Sequence, residues 1–226
     1  MRSEWDGWTW VGRFGLDALF RAGFRMRFEG LEHIPEDGGA LLTYNHVSVL
    51  DPMMVAIGAG KRGRPVRFLV LAQDFDRTFV GWAVRATHQV PLKRGLGDWA
   101  AIEQVAAVLR EGRLAGMAPE GTVGHGEGMQ AGRRGAARIA MAAGVPVLPV
   151  GVWGTNERWG KQGLSYELRR PAAVAVFGEP LVAEGDPKSI PDTKAMTERI
   201  MAGVEEVAER ARAEAALVSG HRGSVG

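Results

Sequence analysis

The chain is predicted to fold as one α/β domain, a mostly parallel central sheet flanked by helices, with an amphipathic helix added at the N-terminus. Three observations predict this. Short apolar runs of strand character alternate with helical periodicities along most of the chain, the pattern that builds parallel sheets. The 226 residues, 46% hydrophobic and 24% charged, match the size and composition of one ordinary domain with a core that needs no staples. No internal repeat and no low-complexity linker divides the chain.

The elements follow in order. Residues 1–23 carry Trp5, Trp8 and Trp10, three of the seven tryptophans. On a helical wheel Trp8, Val11, Gly15, Leu19 and Ala22 share one face, with Arg13, Asp17 and Arg21 opposite. Such a helix fits a membrane interface or a seat on its own domain equally well. Residues 24–29 alternate at strand period, 34–39 form a Pro/Asp/Gly turn, and Ala40–Tyr44 is a short apolar strand. Asp51-Pro52 reads as a helix start, Asp as N-cap and Pro at N1, running to about Gly58. Val66–Leu71 is a buried strand, 74–86 a helix and 89–92 a short strand. Asp98 caps a helix whose apolar stripe is Ile102, Val105, Ala106 and Leu109, ending near Gly112. Strand 114–118, helix 132–143 and strand 145–152 follow, then one or two strands within 166–177. A last helix over 192–217 aligns Met196, Ile200, Val204, Val207 and Ala211. The domain thus spans 24–218, and the Gly/Ser-rich 219–226 is a loose tail.

Composition narrows the chemistry. With no cysteine, disulfides, thiolate metal sites and cysteine acyl-enzymes are excluded. The formal net charge of +2 does not indicate a nucleic-acid partner. The charge is uneven, however: 61–138 carries 13 basic against 7 acidic residues, and the chain has 23 Arg to 5 Lys. Arginine suits planar recognition of phosphate or carboxylate. The run Lys61-Arg62-Gly63-Arg64-Pro65-Val66-Arg67 fits anionic headgroups or a solvated loop. No stretch is a transmembrane span, and Arg13 and Asp17 interrupt any signal-peptide core. There is no Gly-x-Ser-x-Gly elbow, no His-Glu-x-x-His, no complete Walker A and no metal-spaced cluster.

Sites in open α/β sheets gather where strands end. Three such junctions carry polar residues. In Asn45-His46 to Asp51, His46 is the natural proton acceptor, and a tight turn could bring the Asp51 carboxylate to its ring. The same spacing also fits a turn histidine beside a structural N-cap. Lys93-Arg94 ends a short strand and could grip an anion, or be solvated surface. In Pro119-Glu120-Gly121-Thr122, Glu120 and the Thr122 hydroxyl could bind a polyol while Gly121 permits close approach. A bare strand-ending turn has the same composition.

The order of these junctions resembles the 1-acylglycerol-3-phosphate acyltransferase (PlsC-like) family. Asn45-His46 to Asp51 matches its Asn-His-x4-Asp block. Gln89-Val90-Pro91-Leu92-Lys93-Arg94 looks like the second block, Ala118-Pro119-Glu120-Gly121-Thr122 like the third, and Val145-Pro146-Val147-Leu148-Pro149-Val150 like the fourth. The resemblance covers roughly residues 28–180. Ala118 replaces the usual Phe, Val123-Gly124 the usual Arg-Ser, and Lys93 a common Asp; Gln73 falls near a frequent Lys.

The resemblance implies that His46 is the general base and Asp51 its orienting acid. Arg94, with Lys93, would hold an acceptor phosphate, and Glu120, Gly121 and Thr122 its glycerol part. The acyl donor would be acyl-CoA or acyl carrier protein, as substrate and with no cofactor, and transfer would be direct. Ser48, on the same turn as the base, is poorly placed as a nucleophile. The acceptor would be a lysophospholipid, 1-acylglycerol 3-phosphate in the family's usual reaction. The departures leave a lyso-ornithine lipid, another lysophospholipid or a glycolipid open, and a non-catalytic lipid-binding protein beyond those. The N-terminal helix would then be an interfacial anchor, placing the protein at the cytoplasmic face of the cell membrane, peripheral or monotopic.

Overall fold

The computed structural model describes residues 7–76, 78–92, 99–122, 124, 128–160, 163–165 and 170–220. Its centre is a seven-stranded sheet in the order β1-β8-β6-β2-β5-β3-β4. The strands are β1 (Arg25–Glu29), β2 (Ala40–Tyr44), β3 (Val66–Leu71), β4 (Val90–Leu92), β5 (Leu114–Met117), β6 (Val147–Trp153) and β8 (Ala172–Phe177), with β7 (Gly163–Leu164) outside the sheet. Within the sheet the strand pairings are parallel except β6 with β8. Among the described residues, the four-residue helix α6 (Asn156–Trp159) and β7 lie between those two strands. Neither is a crossover helix that carries the chain back to the starting end, and β8 runs home antiparallel with β1 joining it in parallel.

Helices cover both faces. On one side α1 (Gly7–Gly23) and α2 (Asp51–Lys61) enclose Phe20, Phe24, Met54, Val55, Leu42, Val150 and Phe177. On the other, α4 (Trp99–Arg110), α5 (Gly135–Ala143) and α7 (Ile190–Gly220) enclose the stripes expected from periodicity: Ile102, Val105, Ala106 and Leu109 from α4, and Met196, Ile200 and Val204 from α7. Each fully buried Leu, Ile, Val or Met side chain stabilises by roughly 1.5–3 kcal/mol. Farther along α7, Val207, Ala211 and Ala215 pack on Ala172, Val174 and Val176 of β8. The helix lies flat on β6 because Gly151 has no side chain: a Cβ there would run into the Val207 carbonyl. That approach carries the polar face of α7 to the carboxyl end of β6.

Several boundaries move. α2 starts with Leu50 at the N-cap and no side-chain cap; Asp51 occupies the first turn with its carboxylate turned back to the Val47 and Ser48 N–H groups. The helix continues to Lys61 because Gly58 is an internal contact, where a Cβ would meet the Phe177 ring. The expected helix 74–86 is a 3₁₀ turn, Ala72–Asp76, followed by α3 (Thr78–Ala86). α5 begins at Gly135 rather than 132, and β6 at Val147 rather than 145. α7 runs from Ile190 through Ser219 and Gly220, so the expected tail from 219 begins two residues inside the helix. Asp98 and residues 221–226 lie outside the described residues, as does Trp5. Among the described residues, no helix is long and apolar enough to cross a membrane.

The N-terminal helix seats Phe20 and Phe24 in the core, with Leu16 packed against them. Leu19, from the expected apolar face, stands 67% exposed, and Phe14 60% exposed. At its C-terminal end Arg170 donates to the carbonyls of Arg21 and Phe24, where a cation complements the helix dipole.

The basic run after α2 lies at the opposite end of the sheet from the strand termini that carry His46. Arg64 is buried and donates to three carbonyls, Pro35 at 2.6 Å, Gly38 at 2.7 Å and Gly112 at 2.8 Å. Arg62 pairs with Glu36 at 3.0 Å, and Lys61 sits 5.2 Å from the Phe28 ring centre. Arg64 therefore clamps the segments that enter β2, β3 and β5. Replacing it with Met leaves those acceptors buried without that donor. Arg64→Met should lower unfolding free energy by about 3 kcal/mol. A urea midpoint equal to that of the wild type would show that the clamp contributes nothing.

Candidate active site

The site is assembled at the carboxyl ends of β2, β5 and β6, where an open α/β sheet leaves room between diverging connections. Past β2, Asn45 acts as a peptide mimic. Its amide nitrogen donates to the Val152 carbonyl at 2.9 Å, and its amide oxygen accepts from the Val152 N–H at 2.7 Å. This extends the β2–β6 ladder by one side chain and fixes where His46 leaves the sheet.

His46 Nδ1 lies 3.1 Å from Asp51 Oδ2. The side chain of Asp51 is 0% exposed and that of His46 19% exposed. The same Oδ2 accepts the N–H groups of Val47 at 2.8 Å and Ser48 at 2.7 Å, and Oδ1 accepts the Thr155 hydroxyl at 2.5 Å. A carboxylate accepts only, so the proton between the pair belongs on Nδ1, and Nε2 is left as the acceptor nitrogen of the ring. Burial pushes the Asp51 carboxyl up; the hydrogen bonds from His46 and Thr155, the charge of His46 and the Ser48 N–H pull it down. Tyr44, edge-on to the His46 ring at 5.9 Å, has its phenol pushed up by burial and by the Asp51 charge.

The loop after β5 braces His46. Glu120, buried, accepts the His46 N–H at 3.1 Å on Oε1 and the Gln130 N–H at 2.9 Å on Oε2. Gly124 N–H returns to the His46 carbonyl at 2.6 Å. Glu120 lines the cavity beside His46, but the bonds its carboxylate shows hold backbone. Gly121, at φ +71°, and Thr122 are exposed and do not line that cavity. Lys93 and Arg94 lie outside the described residues. Ser48 is fully buried, its hydroxyl donating to the Trp159 carbonyl at 2.5 Å and accepting the Leu50 N–H, so it serves as a strut.

Two contributions escaped the sequence reading. Thr155 follows the Gly154 turn at the end of β6, a fourth strand terminus passed over because its partner is 104 residues away. The far wall of the cavity comes from α7, through Glu205, Glu209 and Arg212. The Arg212 guanidinium lies 5.0 Å over the Trp153 ring. A helix read for its apolar stripe says nothing about what its polar face meets. Among the described residues, no group of three or more His, Cys, Asp or Glu could hold a metal ion.

If Glu120 acts as a brace, Glu120→Ala should lower kcat about tenfold or more while acceptor KM changes little. A rise in KM with unchanged kcat would instead make it a direct acceptor ligand.

Comparison with known proteins identifies the family. An acyltransferase family model matches residues 25–153, more than half of the chain, and spans His46, Asp51 and Glu120. An uncharacterised protein of Mycobacterium leprae is 31% identical over 155 residues, 63% of this chain and 40% of that protein. A 1-acyl-sn-glycerol-3-phosphate acyltransferase of Borreliella burgdorferi is 28% identical over 143 residues, 62% of this chain and 55% of that enzyme. The match thus spans about half the length of these curated relatives. In fold, the chain is similar to the crystal structure of the 1-acyl-sn-glycerophosphate acyltransferase PlsC from Thermotoga maritima, with a TM-score of 0.63, 24% identity and coverage of 89% of this chain and 87% of that one. With the family model matching more than half of its length, the chain belongs to the acyltransferase family.

Proposed function

We propose that the protein transfers a fatty acyl group from acyl-CoA or acyl carrier protein to the free hydroxyl of 1-acylglycerol 3-phosphate, giving phosphatidate. The observation that carries this reading is the His46–Asp51 contact: a base whose one ring nitrogen is committed to a fully buried carboxylate, on the wall of an open cavity. His46 Nε2 takes the hydroxyl proton as that oxygen attacks the thioester carbonyl. The C–O bond forms, the C–S bond breaks, and the proton passes to the departing thiolate. Asp51 stabilises the imidazolium formed in between. The thioester supplies the acyl group as a substrate, and the reaction asks for no cofactor. Lys93 and Arg94 are the proposed ligands of the acceptor phosphate, and Glu120, on the cavity wall, borders its glycerol.

A second reading keeps the chemistry and changes the acceptor. It is favoured by the α7 wall, where Glu205 and Glu209 set two carboxylates against one guanidinium beside His46. Such a wall suits a head group bearing an amine, as in a lyso-ornithine lipid, better than a phosphate monoester. A glycolipid or another lysophospholipid would also fit this second class.

The lipid acceptor would reach the site from a membrane surface. The exposed Phe14 and Leu19 on α1, and Val49 and Met53 flanking Asp51, support contact with a lipid surface, and the proposed place of the protein is the cytoplasmic face of the cell membrane, peripheral or monotopic. Phe14→Glu combined with Leu19→Glu should weaken cosedimentation with lipid vesicles while leaving the fold intact; undiminished cosedimentation would remove α1 from the contact.

The test of function is thioester consumption with a panel of lysolipid acceptors, wild type beside His46→Ala. The variant should lose about 10²–10⁴ in kcat while remaining folded. Preference for lysophosphatidate supports the first reading and preference for an amine-bearing acceptor the second. Turnover that survives in His46→Ala, or none with any acceptor in the wild type, would overturn both.

A further inference from the structure

We propose that Thr155 is a positioning residue of the acyl-transfer site, its hydroxyl holding the Asp51 carboxylate ionised and turned toward His46. The inference rests on the reading of His46 as the base and assigns the group that keeps this base ready.

The geometry is uneven across the carboxylate. Oδ2 collects three donors, from His46, Val47 and Ser48. Oδ1 has the Thr155 hydroxyl at 2.5 Å. Both residues are fully buried, so bulk water cannot serve in place of that donor. Thr155 also stands at the N-cap of α6, where a threonine ordinarily turns its hydroxyl onto its own helix. It makes no such cap bond here, and the hydroxyl is spent on Asp51.

The surrounding backbone is arranged for this contact. Gly154 has φ +89°, and a Cβ there would run into the Ala172 carbonyl, so the chain turns sharply just before Thr155. Four residues on, the Trp159 carbonyl accepts the Ser48 hydroxyl. The segment 154–159 therefore grips the His46–Asp51 loop at both ends.

Among the described residues, the charged and titratable groups around the pair are Tyr44 edge-on to the His46 ring, Glu120 on the His46 backbone, and Glu205, Glu209 and Arg212 across the cavity. Of the side chains that bond Asp51, only Thr155 donates without a proton that can be titrated away. Removing it concentrates charge on Oδ1. With its charge no longer shared by the Thr155 hydroxyl, the carboxylate attracts the imidazolium proton more strongly, so the pair gives up that proton at higher pH and the acid limb of kcat/KM moves up.

The experiment compares Thr155→Val and Thr155→Ser across pH, with the His46 ring titration followed by NMR in each. Thr155→Val should shift the acid limb and the ring titration up by roughly one pH unit and lower kcat about tenfold. Thr155→Ser, which keeps the hydroxyl, should return both to the wild-type positions. If Thr155→Val does not fold, Thr155→Ala carries the same expectation without the added apolar bulk. An unshifted titration in the hydroxyl-free variant, or equal loss in the Ser and Val variants with no shift, would reduce Thr155 to packing and overturn the proposal. A shifted titration in a protein that acylates no acceptor would keep the positioning role and overturn the proposed function instead.

Discussion

A single carboxylate with no exposed surface joins three parts of this chain. Asp51 accepts the ring N–H of His46 and two backbone N–H groups from the turn ahead of α2, and it accepts a hydroxyl delivered from the end of β6. Burying a charge is costly unless it is fully hydrogen-bonded, so the turn, the base and the Gly154-Thr155 corner all have to be in place together. The carboxylate orients the His46 ring, and the donors around it offset the cost of its burial.

The rest of the architecture serves that requirement. Parallel pairing of β6, β2 and β5 brings three strand ends to one edge of the sheet, and the side chain of Asn45 locks the first two together beyond the last backbone pairing. Glu120 supplies the third anchor, through the main chain of His46. The missing side chain at Gly151 lets α7 close the cavity from the far side. At the other edge of the sheet, Arg64 ties together the segments that enter the strands. One edge is thus built from clamped backbone and the other from polar side chains facing an opening.

What was legible in the sequence is local. Apolar spacing located α4 and α7 because a helical stripe needs only near neighbours, and Asn45, His46 and Asp51 were found because they share one turn. Misreadings arose where a residue answers to a distant partner. Asp51 has the sequence signature of an N-cap, yet its carboxylate faces back toward His46, Val47 and Ser48. Thr155 looks like an ordinary turn residue until β6 brings it to β2. The basic excess of residues 61–138 suggested an anionic ligand, but much of it is used internally: Arg64 on carbonyls, Arg62 on Glu36, Arg110 on Glu103 and Arg113 on Glu111. Glu205 and Glu209 could not be connected with His46 from spacing at all, since that contact depends on where a 31-residue helix crosses the sheet.

The proposed chemistry depends on which nitrogen of His46 carries the proton. Nitrogen-resolved NMR of the neutral imidazole in the full chain measures this directly. The expected result is a proton on Nδ1, bonded to Asp51, with Nε2 bare and able to accept. A neutral ring protonated at Nε2 would overturn the proposed role of His46, because such a ring could neither be oriented by an ionised Asp51 nor take a proton from a hydroxyl in the cavity.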